Sequence, residues 1–501
     1  MSGMDAAVAA FALVAQFDNV LALGLGVVIG VIVGAIPGMS ATMAVALSLP
    51  FTFTLDPIVG ILMLLGVYKG GIYGGSIPAI LIKTPGTPAS SCTVLDGHPL
   101  AEKGQAGKAL EMSLYASCIA DVISNLSLIL FAAWLAAFAL SFGPPEFFTL
   151  ILFSLTIIAG VAGDTLVKGL ISAGMGLLLA TIGLDLVYGT DRFIFGTPEL
   201  MSGLNFIPVL IGLFAIPEIL LQCSRTGEEE GRVAAIGRSH VTSADMRRCM
   251  KSILRGSLIG VIMGAIPGIG GAPSAFMSYG EARRTSPVRD NFGKGELEGV
   301  AASEAGNNGV CGATMIPLLA LGIPGDVITA VILGAFMIHG LQPGPLLFQQ
   351  NIVLIYSIFI GIMLSSVFLL IVGLVAIRAF RRVADVPKSL LLPCVLALCV
   401  FGAYAVNNTM FDVLVMFATG LLGYGMIRVG MPAAPFLIAF ILGPMLEDNF
   451  RQAMLMGQSH FGIFFRSPIT WFFWTLTFLS VGLMIWRGMR GNDAEALSRN
   501  G

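Results

Sequence analysis

Residues Gly30 to Ser48, GVIVGAIPGMSATMAVALS, return 230 positions later as Gly260 to Ser278, GVIMGAIPGIGGAPSAFMS, with GAIPG identical in both copies. A Pro-Gly pair inside so apolar a run breaks a helix and frees backbone N–H and C=O groups that lipid cannot satisfy. Such a break persists only where protein, water or a ligand takes up those groups. A second echo follows each copy. Pro78 and Pro85-Gly86 in SIPAILIKTPG correspond to Pro317 and Pro324-Gly325 in MIPLLALGIPG, now 239 positions apart. The hydrophilic stretch around Glu281–Gly299 accommodates the extra nine residues. Four breaks in two matched pairs indicate a duplicated unit.

The surrounding chain places these breaks in a bilayer. Of 501 residues 56% are hydrophobic and 11% charged, and the mean hydropathy is +0.90, which leaves too little polar surface to cover a water-soluble body of this size. Apolar stretches of about 17–25 residues, the length that spans a ~30 Å hydrocarbon core, recur from residue 20 to residue 486. They are continuous and rich in Leu, Ile, Val, Phe and Gly, without the ten-residue alternation of an outer-membrane barrel. The expected class is therefore an all-α polytopic membrane protein. Asp5 precedes the first apolar run where a cleavable signal would carry Lys or Arg, so the amino terminus is expected to be retained.

Basic residues report the topology. Gln222–Arg255 carries Arg225, Arg232, Arg238, Arg247, Arg248, Lys251 and Arg255, which assigns it to the cytoplasm. The loop after the second GAIPG holds Arg283, Arg284, Arg289 and Lys294. With both flanks cytoplasmic, the run between them enters and leaves on one side, as a re-entrant or broken-helix hairpin. The first copy has the opposite flanks, with no Lys or Arg before Lys69 and with Asp5, Asp18 and Asp56 around it, so its hairpin is expected to dip from the periplasm. This parity closes only if Val327–Phe348 does not cross. The expectation is two inverted-topology repeats, at 1–222 and 253–486, joined by a cytoplasmic linker at 223–252 and ending in a cytoplasmic tail at 487–501. Secondary transporters are built in this way, with the substrate site near the midplane where broken helices meet.

Candidate site residues follow from the breaks. Gly38, Ser40 and Thr42 in the first half, and Gly268, Gly270, Gly271 and Ser274 in the second, stand where a half-helix begins and its free N–H groups favour an anion such as a carboxylate. The competing reading is that these small residues merely let helices pack closely. Asn307 and Asn308 offer amide donors and acceptors suited to a carboxylate, a hydroxyl or a cation shell. Lys69, in the middle of an apolar segment, is a candidate substrate counter-ion, with snorkelling to an interface as the alternative. Glu304 and Asp326 are candidates for a coupling cation or proton, and Lys83 for a substrate contact.

Other classes are disfavoured. The net charge of −2 gives no footprint for nucleic acid. Cys92, Cys118, Cys223, Cys249, Cys311, Cys394 and Cys399 form no CxxC pair, and the four histidines have no ligand spacing, so neither a metal nor a disulfide set is expected. No Walker A sequence or nucleophile elbow suggests ATP hydrolysis or covalent catalysis. A channel would need polar rings along its spans, which are scarce. A carrier of a non-carboxylate anion and an assembly subunit stay open as alternatives.

The run YGGSIPAILIKTPGTPAS, followed by LDGHPLAEKGQAGKAL, FGKGELEGVAASEAGNNG, IPLLALGIPGD and MIHGLQPGP, resembles the large membrane subunit of the tripartite tricarboxylate transporters over nearly the whole chain. The resemblance implies a bacterial inner-membrane carrier that takes up di- or tricarboxylates with Na⁺ or H⁺ and uses no other cofactor. It also implies two partners, a small membrane subunit of about four helices and a periplasmic solute-binding protein, and leaves a homodimer open. The family's loops and paired asparagines fall on Gly38 to Thr42, Gly268 to Ser274, and Asn307 with Asn308. The chain departs from the family pattern at Lys69, Lys83 and Asp326. The two lysines would favour a more highly charged anion, unless one of them pairs with Asp326.

Overall fold

The structure, a computed structural model, describes residues 3–161, 166–185, 189–224, 239–384 and 388–499, with side chains throughout except at 379–391 and 486–499. Arg225, Arg232 and Arg238 of the expected linker lie outside the described residues. The protein is helical almost throughout; among the described residues the strands are one antiparallel pair, Gly183–Leu184 with Asp191–Arg192. Nine helices of the described residues are long and apolar enough to cross a membrane.

The side-chain distribution is that of a protein in lipid. Leu130, Phe131, Trp134, Leu258, Phe401 and Leu421 face outward, whereas Lys69, Asp96, Asp121, Asn125, Glu304, Asn307 and Asn308 are buried. Charges held in a bilayer point into the bundle and find partners there. No cysteine of the described residues is in a disulfide, and four are buried.

The duplication is visible in the packing. Phe17–Ala35 breaks at Ile36–Ser40 and resumes as Ala41–Ser48; Ser243–Ala265 breaks at Ile266–Gly270 and resumes as Gly271–Thr285. Gly38 and Gly268, which follow the prolines, turn the chain with φ of +84° and +86°, a conformation open to glycine and strained for other residues. Further along, Ser76–Ile82 ends on Lys83 at φ +60°, and Met315–Leu321 ends on Gly322 at φ +72°, each a left-handed cap just before the second Pro-Gly. Lys83 is exposed there.

A row of close approaches repeats with the same spacings. Gly26, Gly30 and Gly34 lie so near the carbonyls of Met63, Val67 and Gly71 that a β-carbon at any of them would come within 3.0 Å of the oxygen. The equivalents Gly256, Gly260 and Gly264 face the carbonyls of Ala302, Gly306 and Val310 at 3.0–3.2 Å from the same position. Glycine at every fourth residue is what lets two backbones approach this closely. The same spacings pair Tyr68 with Asn307 and Lys69 with Asn308.

Two compact units partition the chain, and each draws on both halves. The first comprises residues 1–137 and 218–409 and contains both hairpins and all four breaks. The second comprises 138–217 and 410–501. Within it Gly176 sits on the Phe436 backbone, and Arg451 joins Asp185 at 2.6 Å and Glu447 at 2.5 Å. Arg192 also reaches Glu447, at 2.7 Å, which fastens the strand pair to Ala433–Met456.

In the first unit several helices fall short of a full span. Val327–Ile338 has 12 residues, about 18 Å at 1.5 Å per residue, against the ~30 Å of a hydrocarbon core. In Ser243–Ala265, Arg247, Arg248, Lys251 and Arg255 occupy the amino-terminal turns, leaving an apolar arm only from Gly256 onward.

Candidate substrate and cation site

The two hairpin tips turn alike at Gly38 and Gly268 but differ at the residue before the second arm, where Ser40 has φ −83° and Gly270 φ +66°. In the first half the Ser40 hydroxyl accepts a hydrogen bond from Met43 N at 3.2 Å and so caps Ala41–Ser48, satisfying one of its free N–H groups internally. Thr42 is half-buried in the first turn of that helix. Beside Gly38 lie the Gln222 amide and the Glu218 carboxylate, with Gln222 donating to Pro37 O at 3.5 Å.

The second half has no such internal cap. Gly270, at φ +66°, precedes Gly271–Thr285 and contributes no side-chain acceptor. The opening N–H groups of a helix lack intrahelical partners, and Pro273 in this first turn has no N–H to satisfy. The hairpin is held to the second break of its own half by Gly268 N donating to Gly325 O at 2.7 Å.

Asn307 faces this helix start. A β-carbon on Gly271 would stand 2.7 Å from Asn307 Oδ1, so glycine there is what admits the amide. Asn307 is 2% exposed, and its Nδ2 has no hydrogen-bond partner among the described residues. A buried amide donor without an acceptor is costly; the atom of this amide that faces Gly271 is its oxygen, while a helix start itself favours an anion. Ala89, from the second break of the first half, lines the same spot at 3.5 Å from the Gly271 β-position.

The other expected residues divide clearly. Ser274 is buried and donates to Gly306 O at 2.7 Å, tying Gly271–Thr285 to Leu297–Asn308. Asn308 turns away from Asn307 and donates to Ser117 Oγ at 2.8 Å, Glu304 O at 3.1 Å and Glu304 Oε2 at 3.3 Å. Glu304 is fully buried and takes further hydrogen bonds from Thr93 and, at 3.1 Å, from Ser117. Two hydroxyls and an amide donate to this carboxyl, which stabilises its ionised form. Asp326 caps Val327–Ile338, accepting from Thr329 N at 2.7 Å and Thr329 Oγ1 at 2.8 Å, with Tyr68 OH at 3.4 Å from its second oxygen. A β-carbon on Gly270 would be 3.4 Å from that of Asp326, which brings this carboxylate beside the helix start where an anion would bind.

Lys69 does not reach this place. Its ammonium donates to Asp121 Oδ2 at 2.7 Å, Asn125 Oδ1 at 2.8 Å and Ile362 O at 3.0 Å, which uses all three of its protons. The structure therefore pairs Lys69 with Asp121, and neither with Asp326 nor with the Asn307 site.

Asp121 and Asn125 were not among the residues expected from sequence, nor were Thr93 and Ser117. A signal was present in Ala106–Ala139: Ser113, Ser117, Asp121 and Asn125 recur every four residues, with Ser124 three after Asp121, a polar stripe on one face of an apolar helix, and all five are buried. Ser124 accepts from Gly312 N and Ala313 N, both at 2.9 Å, so the stripe also holds the turn before Met315–Leu321.

Comparison with known proteins agrees with this architecture. A protein of Agrobacterium vitis described as an uncharacterized 52.8 kDa protein in the TAR-I ttuC′ 3′ region is 36% identical over 465 residues, covering 93% of this chain and 92% of that protein. A second from the same organism, described as lying in the TAR-II ttuC′ 3′ region, is 36% identical over 210 residues, which is 42% of this chain and 87% of that protein. No solved structure matches. Residues 20–438 match the tripartite tricarboxylate transporter TctA family, and with this coverage of its membrane helices and breaks the chain belongs to that family.

Proposed function

We propose that this chain is the substrate-translocating subunit of an ion-coupled secondary transporter. It takes up di- or tricarboxylates across the bacterial inner membrane, receiving them from a periplasmic binding protein and working beside a small membrane subunit. The observation that carries the reading is the unpartnered, buried Nδ2 of Asn307 at the uncapped start of Gly271–Thr285. A substrate carboxylate accepts from this amide and from the free N–H groups of the helix start, replacing the hydration it loses.

Coupling follows from the nearby acids. A carboxylate substrate placed beside Asp326 is repelled unless a proton or cation accompanies it, and Glu304 offers a second place for one. Asn308 links the two functions, because it holds Glu304 while its neighbour Asn307 faces the anion. The hairpins enter from opposite faces as inverted repeats, and the hairpin-bearing unit changes the side to which the site opens.

The test is counterflow and net uptake of labelled di- and tricarboxylates into proteoliposomes holding this chain with its small subunit and binding protein, under imposed Na⁺ or H⁺ gradients. Gradient-dependent accumulation of one acid is expected. Absence of accumulation for every acid under both gradients would contradict the proposal.

A further inference from the structure

Lys69 is enclosed by oxygens of a kind that bind metal cations as readily as ammonium. Its three acceptors are a carboxylate (Asp121), an amide carbonyl (Asn125) and a backbone carbonyl (Ile362), all at 2.7–3.0 Å. They come from two long helices, Ala106–Ala139 and Ile352–Ala384, while the lysine enters from a third, Pro57–Gly74. Ser366 completes the surround: it donates to Asp121 and accepts from Asn125 Nδ2 at 2.9 Å. The group is buried, Lys69 and Asp121 each being at most 1% exposed. One further atom is not accounted for by the lysine. Asp121 Oδ1 is buried and has no hydrogen-bond partner among the described residues.

Carboxylate and carbonyl oxygens are the donors that hard cations select. Two neutral carbonyl oxygens supply the other two acceptors the ammonium needs, Ile362 O being shared with Asn125 Nδ2 at 3.0 Å, and the same oxygens could serve a monovalent cation. The internal repeat adds a comparison, because the residue equivalent to Lys69 in the second half is the neutral Asn308, whose neighbour Glu304 has no ammonium among the partners described above. One half sets an ammonium against its buried carboxylate; the other surrounds its carboxyl with hydroxyls and an amide.

We propose that Asp121, Asn125 and Ile362 O form a monovalent-cation site that Lys69 occupies permanently, so that this chain supplies its own cation there and takes up an alkali ion at that position once the ammonium is removed. The site does not depend on which anion is carried.

The experiment compares thermal unfolding midpoints of the full chain, purified in detergent, in Li⁺, Na⁺, K⁺ and choline chlorides at constant ionic strength. Methionine stops one atom short of the lysine nitrogen, so Lys69→Met leaves the Nζ position open beside Asp121. The midpoint of Lys69→Met is expected to climb with the logarithm of the concentration of at least one alkali ion, as ligand binding to the folded state requires. That climb should exceed any response of the unchanged protein. In Lys69→Met/Asp121→Asn, which lacks the carboxylate, the excess should disappear. If Lys69→Met does not accumulate, Lys69→Gln is read in the same way. An alkali response no greater than that of the unchanged protein, or one that survives loss of the Asp121 carboxylate, would overturn the proposal.

Discussion

The two halves share a turn at Gly38 and Gly268, yet the half-helix that follows has a side-chain cap in the first half and none in the second. In the first, Ser40 caps the half-helix and Lys69 neutralises Asp121. In the second, glycine replaces the cap, Asn307 keeps a donor unused, and Glu304 and Asp326 stand without a basic partner among the contacts described. The close glycine approaches recur in both copies, and the candidate site lies where one copy departs from the other. A buried polar atom without a partner costs stability; the two halves carry theirs at different places, among them Asp121 Oδ1 and Gln222 Oε1 in the first and Asn307 Nδ2 in the second.

The largest expected effect is at the residue that distinguishes the halves most. Asn307→Ala should lower carboxylate uptake at least tenfold, a loss of about 1.4 kcal/mol or more, with membrane abundance unchanged on immunoblots. Loss of abundance instead would assign Asn307 to packing. Gly271→Ala should come close behind, because its β-carbon would displace Asn307; its apparent KM should rise, as read from initial uptake rates.

The asymmetry can also be removed. Asn308→Lys puts in the second half the residue that stands at the equivalent place in the first, next to Glu304. An ammonium there would occupy the position of a mobile ion, so uptake should lose its dependence on the imposed gradient, measured as the ratio of rates with and without it. A preserved ratio would take coupling away from Glu304.

Packing predictions are smaller. Gly30→Ala and Gly260→Ala are equivalent substitutions, expected to cost about 1–3 kcal/mol by overpacking. The first should lower the thermal midpoint more, since the first-half approaches are the tighter ones. At the small end is Asp245, in the basic stretch outside the membrane. Burial alone would raise its pKa, but hydrogen bonds from Lys108 and Thr242 hold it at about 2. Its contribution is present above the ordinary carboxylate value of about 3.9 and is lost as pH falls toward 2. Asp245→Asn weakens the capping box in which Thr242 is the cap and should cost about 1 kcal/mol at neutral pH, and should flatten the decline of the midpoint below about pH 4.

Sequence alone reached the class of protein, the duplication and the four breaks, because Pro-Gly pairs and apolar length are local signals. It also selected Asn307, whose polarity stands out in its segment. It did not reach the partner of Lys69, since Asp121 is 52 residues away and their meeting depends on tertiary packing. Hydropathy gave no hint that the compact units cut across the halves, because it carries no information on which helices touch. The serine stripe of Ala106–Ala139 was readable as helical periodicity, but its residues are small enough to pass for packing.

The most direct test of the anion site is equilibrium binding of a labelled tricarboxylate to the purified full chain and to Asn307→Asp, by scintillation proximity. This substitution keeps the size of the side chain and turns its free donor into an acceptor. Saturable binding by the unchanged protein that is lost in Asn307→Asp, with the thermal midpoint retained, is the predicted result; equal affinity in the two proteins would contradict it.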